Sequence, residues 1–185
     1  EKARKFRTQT KEQNSRNMTK YIAYCRKSTD EKDKQIMSIE QQIEELKAFA
    51  DREKIEISEF LTEAETAKVP GRPIFNSLIS LIEKGLINGI ISWHPDRLAR
   101  NSIDGGKIIY LVDTGKLQSL KFPSFWFENT PQGKFMLSIA FGQSKYYVDN
   151  LSENVKRGLY FKLRRGDWPS YAPLGYKNDR NNRTV

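Results

Sequence analysis

The stretch Tyr21-Ile22-Ala23-Tyr24-Cys25-Arg26-Lys27-Ser28-Thr29-Asp30 decides how the chain is read. Its first five residues are apolar, aromatic or β-branched, which suits a buried strand. The rest changes abruptly to polar, turn-forming residues. Arg26 and Ser28 therefore stand where a buried strand ends, and open α/β sheets place their chemistry at the carboxyl ends of strands.

Outward from this strand the pattern alternates. Ser38-Ile39-Glu40-Gln41 reads as a capping box opening a helix, and Ile39, Ile43, Leu46 and Ala50 give that helix one apolar stripe. A second strand is expected over Ile55–Leu61. Pro73 suits a first helical position, Ile74, Leu78, Leu81 and Ile82 form the buried face of the next helix, and Gly85 ends it. Gly89–Trp93 is strand three and runs into His94-Pro95-Asp96-Arg97-Leu98-Ala99-Arg100. A helix over about 102–115 and short strands near 118–122 and 125–128 complete the alternation. The fold class is α/β, a mostly parallel sheet flanked by helices.

A long C-terminal α-helix follows. From about Pro131 to Arg165 there is no further proline, and Val148, Leu151, Val155 and Leu159 keep helical spacing. About 35 residues of helix are on the order of 52 Å long, too long to bury on a domain of this size. Its apolar side, with Tyr146, Tyr147, Tyr160 and Phe161, suits a subunit interface or core, or the helix lies on DNA. Its far end carries Lys156, Arg157, Lys162, Arg164 and Arg165, the candidate DNA-binding residues.

Charge supports a polyanionic partner. The net charge is +9 over 185 residues. Residues 1–20 hold seven basic and two acidic side chains, and residues 156–185 hold eight and two, so the stretch between is close to neutral. Basic ends on a neutral globule suit contact with nucleic acid through the ends. Residues 1–18 are polar, basic and aperiodic, and are expected to be a disordered extension. A single cysteine excludes an internal disulfide, and one histidine makes a Cys/His metal site a poor fit. No apolar run reaches the roughly 20 residues that span a bilayer. The expectation is a cytoplasmic protein that makes no membrane contact.

The residues with chemical potential converge if the sheet is parallel. Arg26 and Ser28 leave strand one, Arg97 and Arg100 leave strand three, three residues apart and so expected on one face of a helical turn, and Arg72 lies in the loop before the second helix. Several arginines around a serine without a nearby histidine make a poor hydrolase triad. They suit phosphoryl transfer: guanidinium forks hold phosphodiester oxygens, and the serine is the covalent nucleophile. Taken singly each piece is weak, since Asp96-Arg97 is also a common structural ion pair. His94, beside Pro95, is read as a packing or hydrogen-bonding residue outside the site, and Cys25 as a small core residue.

Together, Tyr24-x-Arg26-x-Ser28, Ser38-Ile39-Glu40-x-Gln42, Arg72, Asp96-Arg97-Leu98-x-Arg100 and Leu151-Ser152-Glu153 resemble the catalytic domain of the serine recombinases, the resolvases and invertases. The resemblance spans about residues 20–165. Gly166-Asp167-Trp168 and Ala172-Pro173-Leu174-Gly175-Tyr176 resemble the opening of the second, DNA-binding domain of large serine recombinases. The domains implied are a catalytic domain over 19–130, a helix for oligomerisation and DNA contact over 131–165, and a truncated second domain over 166–185.

The resemblance implies that Ser28 forms a 5′-phosphoserine link to duplex DNA while a 3′-hydroxyl leaves. It implies that Arg26, Arg72, Arg97 and Arg100 bind the scissile phosphate, that Gln42 and Asp96 orient the site, and that Glu153 lies near it. It implies no cofactor or metal, and a homodimer that forms a tetramer in the synaptic complex of a mobile element. For Gln42 and Glu153, a solvated helix face accounts for the residue as well as catalysis does. Two positions depart from small resolvases: Thr66 replaces an active-site serine, and Val148 replaces an arginine. The Val148 departure leaves room for a catalytically silent DNA-binding or dimerisation module that keeps the fold. A metal-dependent nuclease fits less well, because no carboxylate cluster stands out.

Overall fold

A computed structural model describes residues 19–27, 38–68, 70–177 and 179. The expected disorder of residues 1–18 and the position of Ser28 lie outside the described residues. Contacts divide the chain into two units, residues 1–145 and 146–185.

The first unit is built on a four-stranded, all-parallel sheet in the order β2-β1-β3-β4. The strands are β1 (Tyr21–Arg26), β2 (Ile57–Glu63), β3 (Gly89–Ser92) and β4 (Ser119–Lys121). Between them run α1 (Ile39–Glu53), α2 (Pro73–Glu83), the one-turn α3 (Pro95–Leu98) and α4 (Ser102–Asp113), and α5 (Pro131–Arg164) follows.

Side chains alternate across the sheet, so each strand feeds two cores. Ile22 and Tyr24 of β1, with Ile90 of β3, join Phe75, Leu78, Ile82, Leu111, Leu137 and Phe141 from α2, α4 and the start of α5. Ala23, Cys25 and Ile91 face the other way, onto Leu46 and Ala50 of α1. Cys25 is thus a core residue, and its burial pushes the thiol up to about 12. The α/β class holds, with helices on both faces.

The capping box forms as expected: Gln41 N–H donates to Ser38 Oγ, and Ser38 N–H donates back to Gln41 Oε1. Pro73 opens α2, with Gly85 (φ +71°) just past its end. Three expectations need correction. Strand two starts at Ile57 rather than Ile55, because α1 ends at a left-handed Lys54 (φ 55°) and Ile55 N–H still bonds back to Ala50. Residues 125–128 form no strand: they follow Pro123, and Phe125 packs edge-on against Phe122. Arg100 does not share a helical turn with Arg97, since α3 ends at Leu98 and Ala99 is extended (φ −148°).

The opening of α5 is tied tightly to the segment before it. A Cβ at Gly133 would run into the carbonyl oxygen of Glu128, whereas Gly106 in α4 has nothing within 4 Å of that position. In the second unit, residues 146–164 continue the helix, and Gly166 (φ +81°) sits just past its end. Tyr146, Tyr147, Leu151, Val155, Leu159, Tyr160 and Phe161 are exposed, so none is a core residue of this unit. Among the described residues no helix is long and apolar enough to cross a membrane.

The two glycines make opposite predictions. Gly133→Ala is expected to destabilise the chain by roughly 1–3 kcal/mol through the forced shift. Gly106→Ala is expected to stabilise it by about 0.5–1 kcal/mol, because alanine costs less order in a helix interior. Urea unfolding of both variants checks this, and equal effects would contradict the packing described.

Candidate active site

The strand order β2-β1-β3-β4 reverses direction between β1 and β3, the switch point where open parallel sheets leave a crevice at their carboxyl ends. Arg26 ends β1, Glu63 ends β2 opposite it, and α3 begins three residues after β3 ends. Six of the expected site residues fall on this edge: Arg26, Gln42, Arg72, Asp96, Arg97 and Arg100.

Arg26 is fully buried. Its Nε donates to Arg97 O (3.2 Å), Nη1 to Glu65 O (3.2 Å) and Nη2 to Asp96 O (3.4 Å), so it ties the β2 exit to α3. Gln42 is buried too. Its amide accepts from Arg26 N–H at 3.3 Å and donates to Arg26 O at 3.2 Å. Because β3 ends opposite Tyr24, Gln42 completes the main-chain hydrogen bonding that β3 does not supply at this point. A solvated helix face does not describe it.

Arg72, also buried, lies at the N-cap of α2 within a polar network. Its Nη1 donates to the Tyr24 hydroxyl at 2.7 Å, and its Nη2 to Asp104 Oδ2 at 3.1 Å and to Leu98 O. Tyr24 donates in turn to Glu63, whose carboxylate lies 3.8 Å from Arg72 and also accepts from Ile74 N–H. Asn101 donates to Asp104 and to Ala67 O. One cation between two buried carboxylates is held by necessity: removing one partner of such a pair costs about 3–5 kcal/mol. Burial, against the pull of Arg72 and with help from Glu63, pushes the Tyr24 hydroxyl far above its ordinary value. Tyr24 is therefore a donor and a poor nucleophile.

Asp96 holds the other two arginines. Its Oδ2 accepts from Arg100 Nη2 at 3.2 Å, and its Oδ1 lies 3.6 Å from Arg97 Nε. Burial opposes its charge, yet the His94 hydrogen bond and the two guanidinium groups hold the carboxyl down at about 2. Arg97 is nearly buried, with its guanidinium 5.7 Å from the Trp93 ring centre, but its Nε and Nη1 make no hydrogen bond among the described residues. Buried donors without acceptors are rare and costly. The charges also disfavour one another: burial first, then Arg100 and Arg97, lower Arg26 to about 10. A bound anion relieves both costs together. Phosphate oxygens match guanidinium geometry well.

The remaining expected residues fall elsewhere. Ser28 lies two residues past Arg26 in sequence, outside the described residues. Thr66 keeps its hydroxyl near the β2 exit, where it accepts from Lys68 N–H at 3.3 Å. Glu153, Lys156, Arg157, Lys162, Arg164 and Arg165 are exposed in the second unit. Glu153, Lys156, Arg157, Tyr160, Phe161 and Arg164 line one hollow on its helix. Sequence reading did not single out Glu63, Asn101 or Asp104. Asn101-x-x-Asp104 carried a usable signal, an N-cap side chain three residues before an acidic one. Glu63 carried none, because only the strand register sets it opposite Arg26.

The model of the family domain described as "Resolvase, N terminal domain" matches residues 21–168. A protein of Bacillus subtilis (strain 168) named "Putative DNA recombinase" is 26% identical over 167 residues, which cover 88% of this chain and 32% of that protein. The chain thus spans about a third of that relative's length. The crystal structure of the N-terminal catalytic domain of TP901-1 integrase superposes with a TM-score of 0.51 at 23% identity, over 71% of this chain and 98% of that domain. A resolvase family site-specific recombinase from Streptococcus pneumoniae aligns at a TM-score of 0.44 and 22% identity, over 79% and 99%. The first of these superpositions is a likeness of fold.

The depressed Asp96 carboxyl makes stability depend on acid. Its folded value of about 2 lies below the ordinary 3.8, so its contribution is fully present above about pH 4 and is lost as pH falls through about 2. The contribution is on the order of 2 kcal/mol. Urea midpoints of the wild type and Asp96→Asn should differ most near neutrality and converge towards pH 2. A constant difference across that range would contradict the assignment.

Proposed function

Because the chain belongs to the resolvase family, through that family's N-terminal domain, we propose that it is the catalytic part of a large serine-type site-specific DNA recombinase that cuts and rejoins duplex DNA through Ser28. The observation that carries this reading is Arg97: a nearly buried guanidinium, two of whose nitrogens make no hydrogen bond among the described residues, beside Arg26 and Arg100 at the sheet edge where β1 ends, two residues before Ser28 in sequence.

In this reading a backbone phosphate of DNA settles among the arginines. Arg97 and Arg100 contact its oxygens, while Arg26 and Arg72 hold the surrounding loops and add to the positive field. The Ser28 oxygen attacks phosphorus and loses its proton. The 3′-oxygen of the neighbouring sugar leaves and takes a proton up. The strand end is then held as a 5′-phosphoserine. Rejoining runs the same exchange in reverse with a new 3′-hydroxyl, so the phosphodiester bond energy is conserved and nothing in the balance calls for ATP. The arginines act by stabilising charge that builds on the phosphate oxygens in the transition state.

The exposed apolar and basic side chains of residues 146–165 support a role in pairing subunits and in contacting duplex DNA. A homodimer, and a tetramer during strand exchange, would follow from that role. Lys156, Arg157, Lys162, Arg164 and Arg165 would then supply salt-sensitive phosphate contacts. Glu153 belongs to the same surface. Residues 166–185 are read as the start of a second DNA-binding domain, and the cytoplasm, on DNA of a mobile element, is the corresponding setting.

Covalent trapping tests the proposal. The chain, or a longer protein that contains it, is incubated with DNA carrying a nicked crossover site and run on denaturing gels with and without protease. A protein–DNA adduct is expected from the wild type and none from Ser28→Ala. Arg97→Ala should lower adduct formation by roughly 100-fold or more while the fold survives. An adduct that persists in Ser28→Ala would overturn the reading. DNA binding without any adduct from the longer protein would point to the silent binding module instead.

A further inference from the structure

His94 is the single histidine of the chain, and it stands at the N-cap of α3, the helix that carries Asp96 and Arg97. Its Nδ1 makes two contacts with the same residue. It accepts from Asp96 N–H at 3.2 Å and lies 3.1 Å from Asp96 Oδ1. The ring is held from two sides, by Phe125 edge-on at 5.9 Å and by Trp93 at 6.0 Å. Trp93 is fixed in turn: its Nε1 donates to Glu45 of α1 at 2.7 Å, and its carbonyl accepts from Ser124. The imidazole is thus braced by α1 and by the segment after β4 while it touches the carboxylate that holds two arginines.

We propose that His94 is a positioning residue for Arg97 and Arg100, acting through Asp96, an inference that rests on reading those arginines as phosphate ligands. Nδ1 faces both the Asp96 N–H and the Asp96 carboxylate, so the ring engages Asp96 either way: an unprotonated Nδ1 accepts from the N–H, and a protonated one donates to Oδ1. That contact fixes the first turn of α3, and with it the direction in which the Asp96 carboxylate leaves the backbone. Asp96 then offers Oδ2 to Arg100 and Oδ1 towards Arg97. Without the His94 side chain the Asp96 N–H loses this partner, and the first turn of α3 is left to the main-chain bonds from Arg97 N–H to His94 O (3.0 Å) and from Ala99 N–H to Pro95 O (3.1 Å).

In the ¹⁵N-labelled chain, the Nε–H groups of Arg97 and Arg100 are followed by NMR in the wild type, His94→Asn and His94→Ala. Asparagine keeps an N-cap acceptor, so the arginine signals should stay in place in His94→Asn. They should shift or broaden in His94→Ala, with melting behaviour that still reports a folded chain. Arginine signals indifferent to His94→Ala would overturn the proposal.

Adduct formation supplies the second readout. His94→Ala should lower it roughly 10- to 100-fold, as expected for a displaced site, with DNA affinity retained and with most of the loss recovered in His94→Asn. Wild-type rates in His94→Ala would also overturn it. If the wild type forms no adduct, the recombinase reading fails, and the NMR signals decide the positioning role on their own.

Discussion

Crowding guanidinium groups at a buried edge is the constraint on which the rest of this structure depends. Arginines 26, 72 and 97 are buried, and Arg100 is mostly so. Each needs acceptors or counter-ions, since an unpaired buried charge is prohibitive. The fold supplies them unevenly. Arg26 is satisfied by three main-chain carbonyls; Arg72 bonds Tyr24, Leu98 and Asp104 with Glu63 close by, and only its Nε makes no hydrogen bond among the described residues. Asp96 serves both Arg97 and Arg100, and among the described residues two Arg97 nitrogens make no hydrogen bond. Among those residues positive charge is therefore gathered without a full set of acceptors, and a site of that kind is complementary to a phosphate.

The supporting network explains residues that carry no chemistry of their own. Gln42 holds the last residue of β1 by both main-chain groups. Asn101 caps α4 and fixes Asp104, which anchors Arg72. Ser92 donates to Tyr24 O at 2.8 Å and so locks β3 to β1 just before the strands diverge into the site. These contacts come from α1, β3 and the start of α4, and their common effect is to keep the exits of β1, β2 and β3 in register.

Much of this was legible from the chain alone. The alternation of Ile22 and Tyr24 with Ala23 and Cys25 anticipates a strand with two buried faces, and Ser38 with Gln41 marks the start of α1. Arg26, Arg97 and Arg100 could be placed together from the rule that parallel strands end on one edge. The buried network was not legible in the same way. Glu63 faces Arg26 only through the register of β2 on β1, and that register begins at Ile57 because a left-handed Lys54 delays the strand. Residues 125–128 alternate like a strand, but Pro123 before them and the packing of Phe125 set them aside. Gln42 looked equally suited to solvent, and only the end of β3 opposite Tyr24 shows why it is needed inside.

The central claim is that this arginine cluster holds a DNA phosphate for attack by Ser28. The most direct measurement is peptide mapping of the covalent adduct by mass spectrometry after nuclease and protease digestion. The account predicts a single modified peptide, with a nucleotide joined through its 5′-phosphate to Ser28. A nucleotide linked to another residue, or joined through its 3′-phosphate, would contradict it.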